Sequence, residues 1–511
     1  MIERFSRSIS YAVARRASRV FSAVLVLGVA CLCAPSFALA DPPTDKKEEP
    51  RLVTTEHEVT INGQVVKYKA TAGEVPLLSD TLKPRARIFY TCYEVPGQDP
   101  AKRPITFAFN GGPGSSSVWL HLGAIGPKRV PLGPEGMDTP PNATVIDNSE
   151  SWLDLTDIVF IDPVSTGYSR PVEGQDANQF HGLYEDISSV GDFIRQYITT
   201  HKRWASPKFL AGESYGTTRA AGLSGYLQDS LGISLDGIVF ISPVFNFLTT
   251  DFSDGNDTAY WLYLPSYTAT AWYHKKLDAS VGDLNAAIAE SRKFAGGEYL
   301  LALSRGDTLS PKERDDIAGK YARLTGVSKQ FVLNNNLRLP LHRFTKELLR
   351  DQARSVGRLD ARYKGIDRIA AGDGPDEDPS YTAILAPYTS ALNRYVREEL
   401  GFESDLNYEI LTGRVHPWNF GAAGNGYTNV AGTLRQSMTR NPRLQVLFCS
   451  GYYDLATPTF AMDYTIDHLG LDPSIRGNIR RAYFESGHMM YVRTSDLQKL
   501  KREVTPLFQP R

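Results

Sequence analysis

The chain has 511 residues, 56 Lys and Arg against 57 Asp and Glu, a formal charge of −1, and 42% hydrophobic and 22% charged residues. That composition holds enough apolar material for a large core and excludes a disordered, collagen-like or disulfide-dense chain. The balanced charge, with no long basic stripe, sets nucleic-acid binding aside.

The first forty residues form a separate segment. Arg4, Arg7, Arg15, Arg16 and Arg19 with one acid, Glu3, precede an apolar run from Val20 to Ala34. Ala38 and Ala40 then offer a small-residue cleavage site before Asp41. The run is shorter than the ~20 residues that span a bilayer. Residues 1–40 therefore read as a signal peptide, with an anchor helix or a transit peptide as competing readings. The expectation is an exported protein, periplasmic or secreted, with no stable membrane anchor after cleavage. Cys31 and Cys33 would leave with the leader, and the remaining Cys92 and Cys449 read as buried free thiols, although export permits a bridge.

Residues 41–50 are charged and Pro-rich, a flexible lead-in. Two β-rich runs then flank Asn62-Gly63, a strong hairpin signal. Further strands are predicted at 86–95, 105–109, 158–161, 208–211 and 237–241. A helix is predicted at 186–199, from Ile187, Val190, Phe193, Ile194 and Tyr197 at helical spacing. Strands alternating with helices argue for an α/β fold with a mostly parallel central sheet. From 247 to 441 the texture is helical, with segments at 279–294, 311–325 and 387–399 and a loop at 372–379. Pro311 and Pro387 would each occupy a first turn. Strands return at 444–449 and 481–485, and a last helix is predicted at 495–503. The economical organisation is a core of 51–246 and 442–511 interrupted by a helical insertion, or cap, at 247–441.

The sharpest chemical signal is the strand 208–211 running into Gly212-Glu213-Ser214-Tyr215-Gly216. Gly-x-Ser-x-Gly at a strand-to-helix turn exposes the serine above the sheet, with the next backbone N–H aimed at a developing oxyanion. Such a serine needs a base and the base an orienting acid, which in this arrangement follow in the order acid, then histidine. Asp454 and His488 lie just past the last two predicted strands, in that order. Each alone reads more simply as a turn aspartate and a loop histidine. Their joint placement favours the triad Ser214, Asp454, His488. The glycine-rich turn Asn110-Gly111-Gly112-Pro113-Gly114 lacks the Lys-Ser/Thr of a phosphate loop, and Gly112 N–H would be the second oxyanion donor beside that of Tyr215. The nine histidines show no metal-ligand spacing, so neither metal nor cofactor is expected.

Taken together these motifs resemble the serine carboxypeptidases of the α/β-hydrolase superfamily, as a divergent, bacterial-type member. The resemblance rests on Asn110–Ser116, Asn148-Ser149-Glu150-Ser151-Trp152, Asp162–Ser169, Gly212–Gly216, Gly451-Tyr452-Tyr453-Asp454 and Gly487-His488-Met489. It covers about 88–246 and 444–506. It implies a peptide substrate, cleavage of C-terminal residues, and binding of the terminal carboxylate by Asn110 and Glu213 through a protonated acid. This chain departs from the family at Ala108, where the family usually has Trp, and at Ala124, where it usually has Glu. Ser115 stands where the family has Cys. Half the carboxylate network is thus missing. Either Lys128 or Arg129 substitutes as a cationic clamp, or blocked and ester substrates are accepted, or both cations are simply solvated. Esterase or acyltransferase activity on the same triad is the alternative function, and a non-catalytic secreted binding protein the remote one.

Overall fold

A computed structural model describes residues 50–509 except 139 and 422–425. The leader and almost all of the lead-in lie outside the described residues. The described chain falls within one compact unit, Glu48–Arg511.

A ten-stranded sheet organises it. Its strands are β1 (Arg51–Ile61), β2 (Gln64–Leu78), β3 (Pro84–Glu94), β4 (Ile105–Phe109), β5 (Asp157–Ile161), β6 (Lys208–Glu213), β7 (Gly237–Ile241), β8 (Gln445–Gly451) and β9 (Ile479–Phe484). Arg170–Pro171 adds a short pairing to β3. The order is β1-β2-β3-β5-β4-β6-β7-β8-β9. The first three are antiparallel, β3 meets β5 antiparallel, and every later pairing is parallel. This is the α/β-hydrolase architecture expected from the sequence. Ile61 pairs with Gln64 across Asn62-Gly63, both at positive φ, so the hairpin turn is the tight one the dipeptide encodes.

The inner parallel strands are buried and largely apolar because helices cover both faces, whereas the edge strand β9 carries Arg480 and Arg481. In β4, Phe107 and Phe109 join the core on one face and Ala108 the core on the other, the two-residue period of a strand. Helices α1 (Leu183–Thr200) and α2 (Tyr215–Asp229) lie on the Phe107 side, where Ile187, Val190, Ile194 and Leu223 pack.

A third core is built mostly from the region 247–441, with Leu262, Tyr267, Tyr299, Tyr321 and Phe344, and it takes in Tyr453 and Leu455 beyond β8. Three of its helices bear on the sequence reading. The helix at 311–325 is Pro311–Thr325, with a Ser310–Glu313 capping box and Gly326 in the left-handed conformation closing it. The segment 279–294 is divided: Gly282 has φ +83°, and Asp283 caps a helix that spans only Leu284–Phe294. Pro387 does not open its helix. Asp378 caps α3 (Pro379–Arg394), Pro379 takes the first-turn position, and Pro387 lies inside. The acidic loop at 372–379 concealed the earlier start, because Asp-Pro reads equally as turn or cap. The helix Thr258–Tyr273, buried from Ala259 to Ala271, lacks the amphipathic period and escaped the sequence reading. The helix Ala431–Arg440, just before β8, packs Leu434 and Met438 into the sheet's own core.

Two stretches of this region return to the sheet. Residues 409–421 and 426–429 meet the loops at the strand ends: Ser116 N donates to Ile410 O (3.0 Å), Leu183 N to Asn419 O (2.8 Å) and Phe247 N to Thr428 O (2.9 Å). Residues 355–365 run between the loops that follow β8 and β9.

Candidate active site

Ser214 sits between β6 and α2 with φ 59° and ψ −131°, a conformation that non-glycine residues adopt only where the surroundings enforce it. Its backbone N–H donates to Ile241 O at the end of neighbouring β7 (3.0 Å). The next residue, Ser242, donates its hydroxyl to His488 O (2.5 Å). Two hydrogen bonds thus link the serine turn to the histidine loop.

Asp454 follows β8 and His488 follows β9, both at the carboxyl ends of parallel strands, where such sheets build their sites. Asp454 Oδ2 is 2.7 Å from His488 Nδ1, and the two residues are 0% and 4% exposed. The carboxylate is fully engaged. Ala456 N (2.7 Å) and Thr457 N (2.9 Å) donate to Oδ1, and the Thr457 hydroxyl donates to Oδ2 (2.7 Å). For His488, burial works to lower the ring's pKa, but the charge and hydrogen bond of Asp454, with Glu213 behind them, outweigh it and raise the pKa above the ordinary 6.5.

The β4 loop lies directly on the first turn of α2. A Cβ at Gly111 would run into the backbone nitrogens of Tyr215 and Gly216. The next residue, Gly112, is exposed. Asn110 is buried; its side-chain oxygen accepts from Leu120 N (3.0 Å), and its amide also bonds Glu213 and Tyr491. Glu213, 3% exposed, accepts from the Tyr491 hydroxyl at Oε2 (2.6 Å). Burial pushes its carboxyl up to about 7, against the opposing pull of His488, Tyr491 and Asn110.

Ala108 and Ala124 are both fully buried, in the core that contains Trp119, Tyr388 and Tyr491. The two tyrosines crowd Gly123, leaving no room for a Cβ there. The Glu213 carboxyl acts electrostatically on Tyr388, from α3, whose buried hydroxyl has no hydrogen-bond partner among the described residues. Of the two candidate cations, Lys128 is engaged elsewhere, 2.7 Å from Asp147 and 4.0 Å from Glu399. Arg129 is half-buried, lowered by that burial, and faces Tyr388 and Glu150. Neither is simply solvated.

Sequence reading overlooked Thr457 and Tyr491. Each lies three residues past a motif residue, and a search for donors within one turn of Asp454 and His488 would have found both. Leu359 and Asp360, which bond the histidine loop (His488 N to Leu359 O, 2.7 Å; Gly487 N to Asp360 Oδ2, 3.1 Å), left no local signal. Cys92 and Cys449 are free and buried, with Cys92 Sγ 2.9 Å from the Tyr197 hydroxyl. Among the described residues no cluster of three His, Cys, Asp or Glu could hold a metal, and no helix is long and apolar enough to cross a membrane.

Comparison with known proteins identifies the family. The serine carboxypeptidase family model matches residues 64–501. A carboxypeptidase Y homolog of Arthroderma benhamiae is 33% identical over 176 residues, 32% of this chain and 31% of that protein. The pheromone-processing carboxypeptidase KEX1 of Saccharomyces cerevisiae is 31% identical over 156 residues, 28% of this chain and 20% of that protein. These matches therefore span a third or less of the relatives' own length. The crystal structure of the prohormone-processing carboxypeptidase KEX1 from Saccharomyces cerevisiae superposes with a TM-score of 0.54 at 17% identity. It covers 86% of this chain and 91% of that one, a likeness of fold. With the family model matched over most of its length, the chain belongs to the serine carboxypeptidase family.

Proposed function

We propose that this protein is an exported serine-type carboxypeptidase, released by cleavage before Asp41, in which a core of 51–246 and 442–511 carries an insertion at 247–441. The reading rests above all on the 2.7 Å contact between buried Asp454 and His488 beside the strained turn of Ser214. Ser214 Oγ attacks the last peptide carbonyl and passes its proton to His488 Nε2. The backbone N–H groups of Gly112 and Tyr215 take the developing oxyanion. His488 returns the proton to the departing amine, so the C-terminal amino acid leaves and an acyl-enzyme remains. Water, losing a proton to His488, then releases the shortened peptide and restores the serine. Asp454 holds the ring with Nδ1 protonated and offsets its charge when both nitrogens carry protons.

Asn110 and protonated Glu213 receive the terminal carboxylate, a neutral acid being able to donate where its anion can only accept. Tyr491 is the described partner of Glu213 in a site that lacks the family's acid at Ala124. Ala108 and Ala124 favour, as a second reading, hydrolysis or transfer of esters by the same serine.

The test is one preparation of the protein as its host exports it. Its N-terminal residue is read, and it is treated with a fluorophosphonate. Asp41 at the N-terminus, labelling confined to Ser214, and a Ser214→Ala variant slowed by about 10⁴-fold or more on peptide substrates are expected. Undiminished turnover by that variant excludes the mechanism; an uncleaved leader excludes processing before Asp41.

A further inference from the structure

The segment 355–365 belongs to the insertion, yet it is wedged between the two loops that hold Asp454 and His488. Arg358 O accepts from Leu455 N (3.0 Å), one residue beyond Asp454, and Leu359 O accepts from His488 N (2.7 Å). Ala361 N donates to Tyr453 O (2.9 Å), one residue before Asp454. On the other side Asp360 Oδ2 accepts from Gly487 N (3.1 Å) and is clamped by the Arg362 guanidinium (2.6 Å). The approach is so close that a Cβ at Gly487 would collide with Leu359 O. Arg358 N and Leu359 N donate to the two oxygens of Asp378, 3.1 and 3.2 Å. The main chain of Arg358 is thereby fixed from both sides, one peptide from the base and one from its orienting acid.

Its side chain is not fixed. Arg358 is exposed, and its guanidinium makes no hydrogen bond or ion pair among the described residues. The Asp378 carboxylate that meets the Arg358 amide is already spent on those two amides and on the amide and hydroxyl of Ser380 (3.0 and 2.5 Å), and Asp360 is held by Arg362. The Arg358 charge opposes protonation of His488 and opposes the burial that raises the phenol of Tyr263, whose hydroxyl reaches the Asp454 loop at Ala456 O. An arginine with a fixed backbone and a free guanidinium thus stands on the histidine side of the site. In acyl transfer by a serine, the histidine faces the leaving group, because it must hand that group a proton.

We propose that Arg358 is a specificity-determining residue that binds a carboxylate carried by the departing C-terminal residue. The inference rests on the carboxypeptidase reading and supplies the cation for which Lys128, already paired, is not free. The carboxylate is either the main-chain terminus or an acidic side chain. A guanidinium matches both in the same way, through paired N–H donors.

The test uses the mature enzyme and peptides ending in Glu or Gln, each as free acid and as amide. In Arg358→Gln either the Glu-over-Gln ratio of kcat/KM or the acid-over-amide ratio falls about tenfold or more, chiefly through KM. The ratio that falls identifies which carboxylate is bound. Arg358→Lys keeps part of the preference, and Arg358→Glu turns it toward C-terminal Lys. Phosphonylation of Ser214, which needs no substrate carboxylate, shows that each variant is assembled. Its acid limb moves to higher pH in Arg358→Gln, because the cation no longer depresses the His488 ring. Unchanged ratios in a variant that still labels overturn the role of Arg358. A labelled wild-type enzyme that cleaves none of the peptides overturns the carboxypeptidase reading and this inference with it.

Discussion

On the carboxypeptidase reading proposed above, substrate choice turns on Glu213. Buried, bonded to Tyr491 and Asn110 and raised to about 7, it changes charge near neutrality rather than near pH 4. Below that value the acid is neutral and donates to a substrate carboxylate. Above it, two anions face each other. Hydrolysis of free-acid peptides is therefore expected to lose kcat/KM about tenfold per pH unit above about 7, as a single deprotonation requires. Amide and ester substrates lack this limb. In Glu213→Gln the group is a neutral donor at every pH, so the free-acid preference becomes independent of pH. Paired pH profiles of the two enzymes on one peptide and its amide check this, and a variant that retained the alkaline limb would remove Glu213 from carboxylate binding.

Between elements, the site depends on one buried ion pair that ties α1 to α2 beneath the oxyanion turn. Arg219 Nε donates to Asp186 Oδ2 (2.7 Å), its Nη1 donates to Asn110 O (2.6 Å), and its guanidinium lies 5.2 Å from the Phe109 ring. The two side chains are 1% and 2% exposed. Burial raises the Asp186 carboxyl, and Arg219 opposes that rise. Removing one member leaves the other charge buried and uncompensated, a cost of about 3–5 kcal/mol. Asp186→Asn is expected to lower stability by that amount in denaturant unfolding. It should also slow phosphonylation of Ser214, since Arg219 holds the main chain of Asn110. A loss under about 1 kcal/mol would mean that solvent reaches the pair.

Across the described residues, the sheet order separates Cys92 from Cys449. Cys92 lies on β3 and Cys449 on β8, five strand spacings apart, or about 24 Å at ~4.8 Å per spacing. A disulfide needs its Cα atoms within ~7 Å. Cys92 and Cys449 are therefore expected to stay free thiols, silent to a thiol reagent when folded and both reactive once denatured. Burial also pushes both thiols well above their usual range, which suppresses the reactive thiolate. A titration finding no thiols after denaturation would refute the strand order between them.

What the residues settle by themselves is local. Gly-x-Ser-x-Gly after an apolar strand specifies a strained serine turn, Asn62-Gly63 specifies a tight hairpin, and Ser310-Pro311 with Glu313 specifies a helix start, because each is governed by neighbours a few positions away. Pro387 was misread because the nearer signal, Asp378-Pro379, lay inside a stretch that also reads as loop. Tyr491 beneath Glu213, Arg358 beside His488 and the wedge of 355–365 between the loops of Asp454 and His488 depend on hydrogen bonds joining residues about ninety or more positions apart. No periodicity or spacing encodes such pairings, since they arise only when the helices of 247–441 pack one core together with Tyr453 and Leu455 of the Asp454 loop.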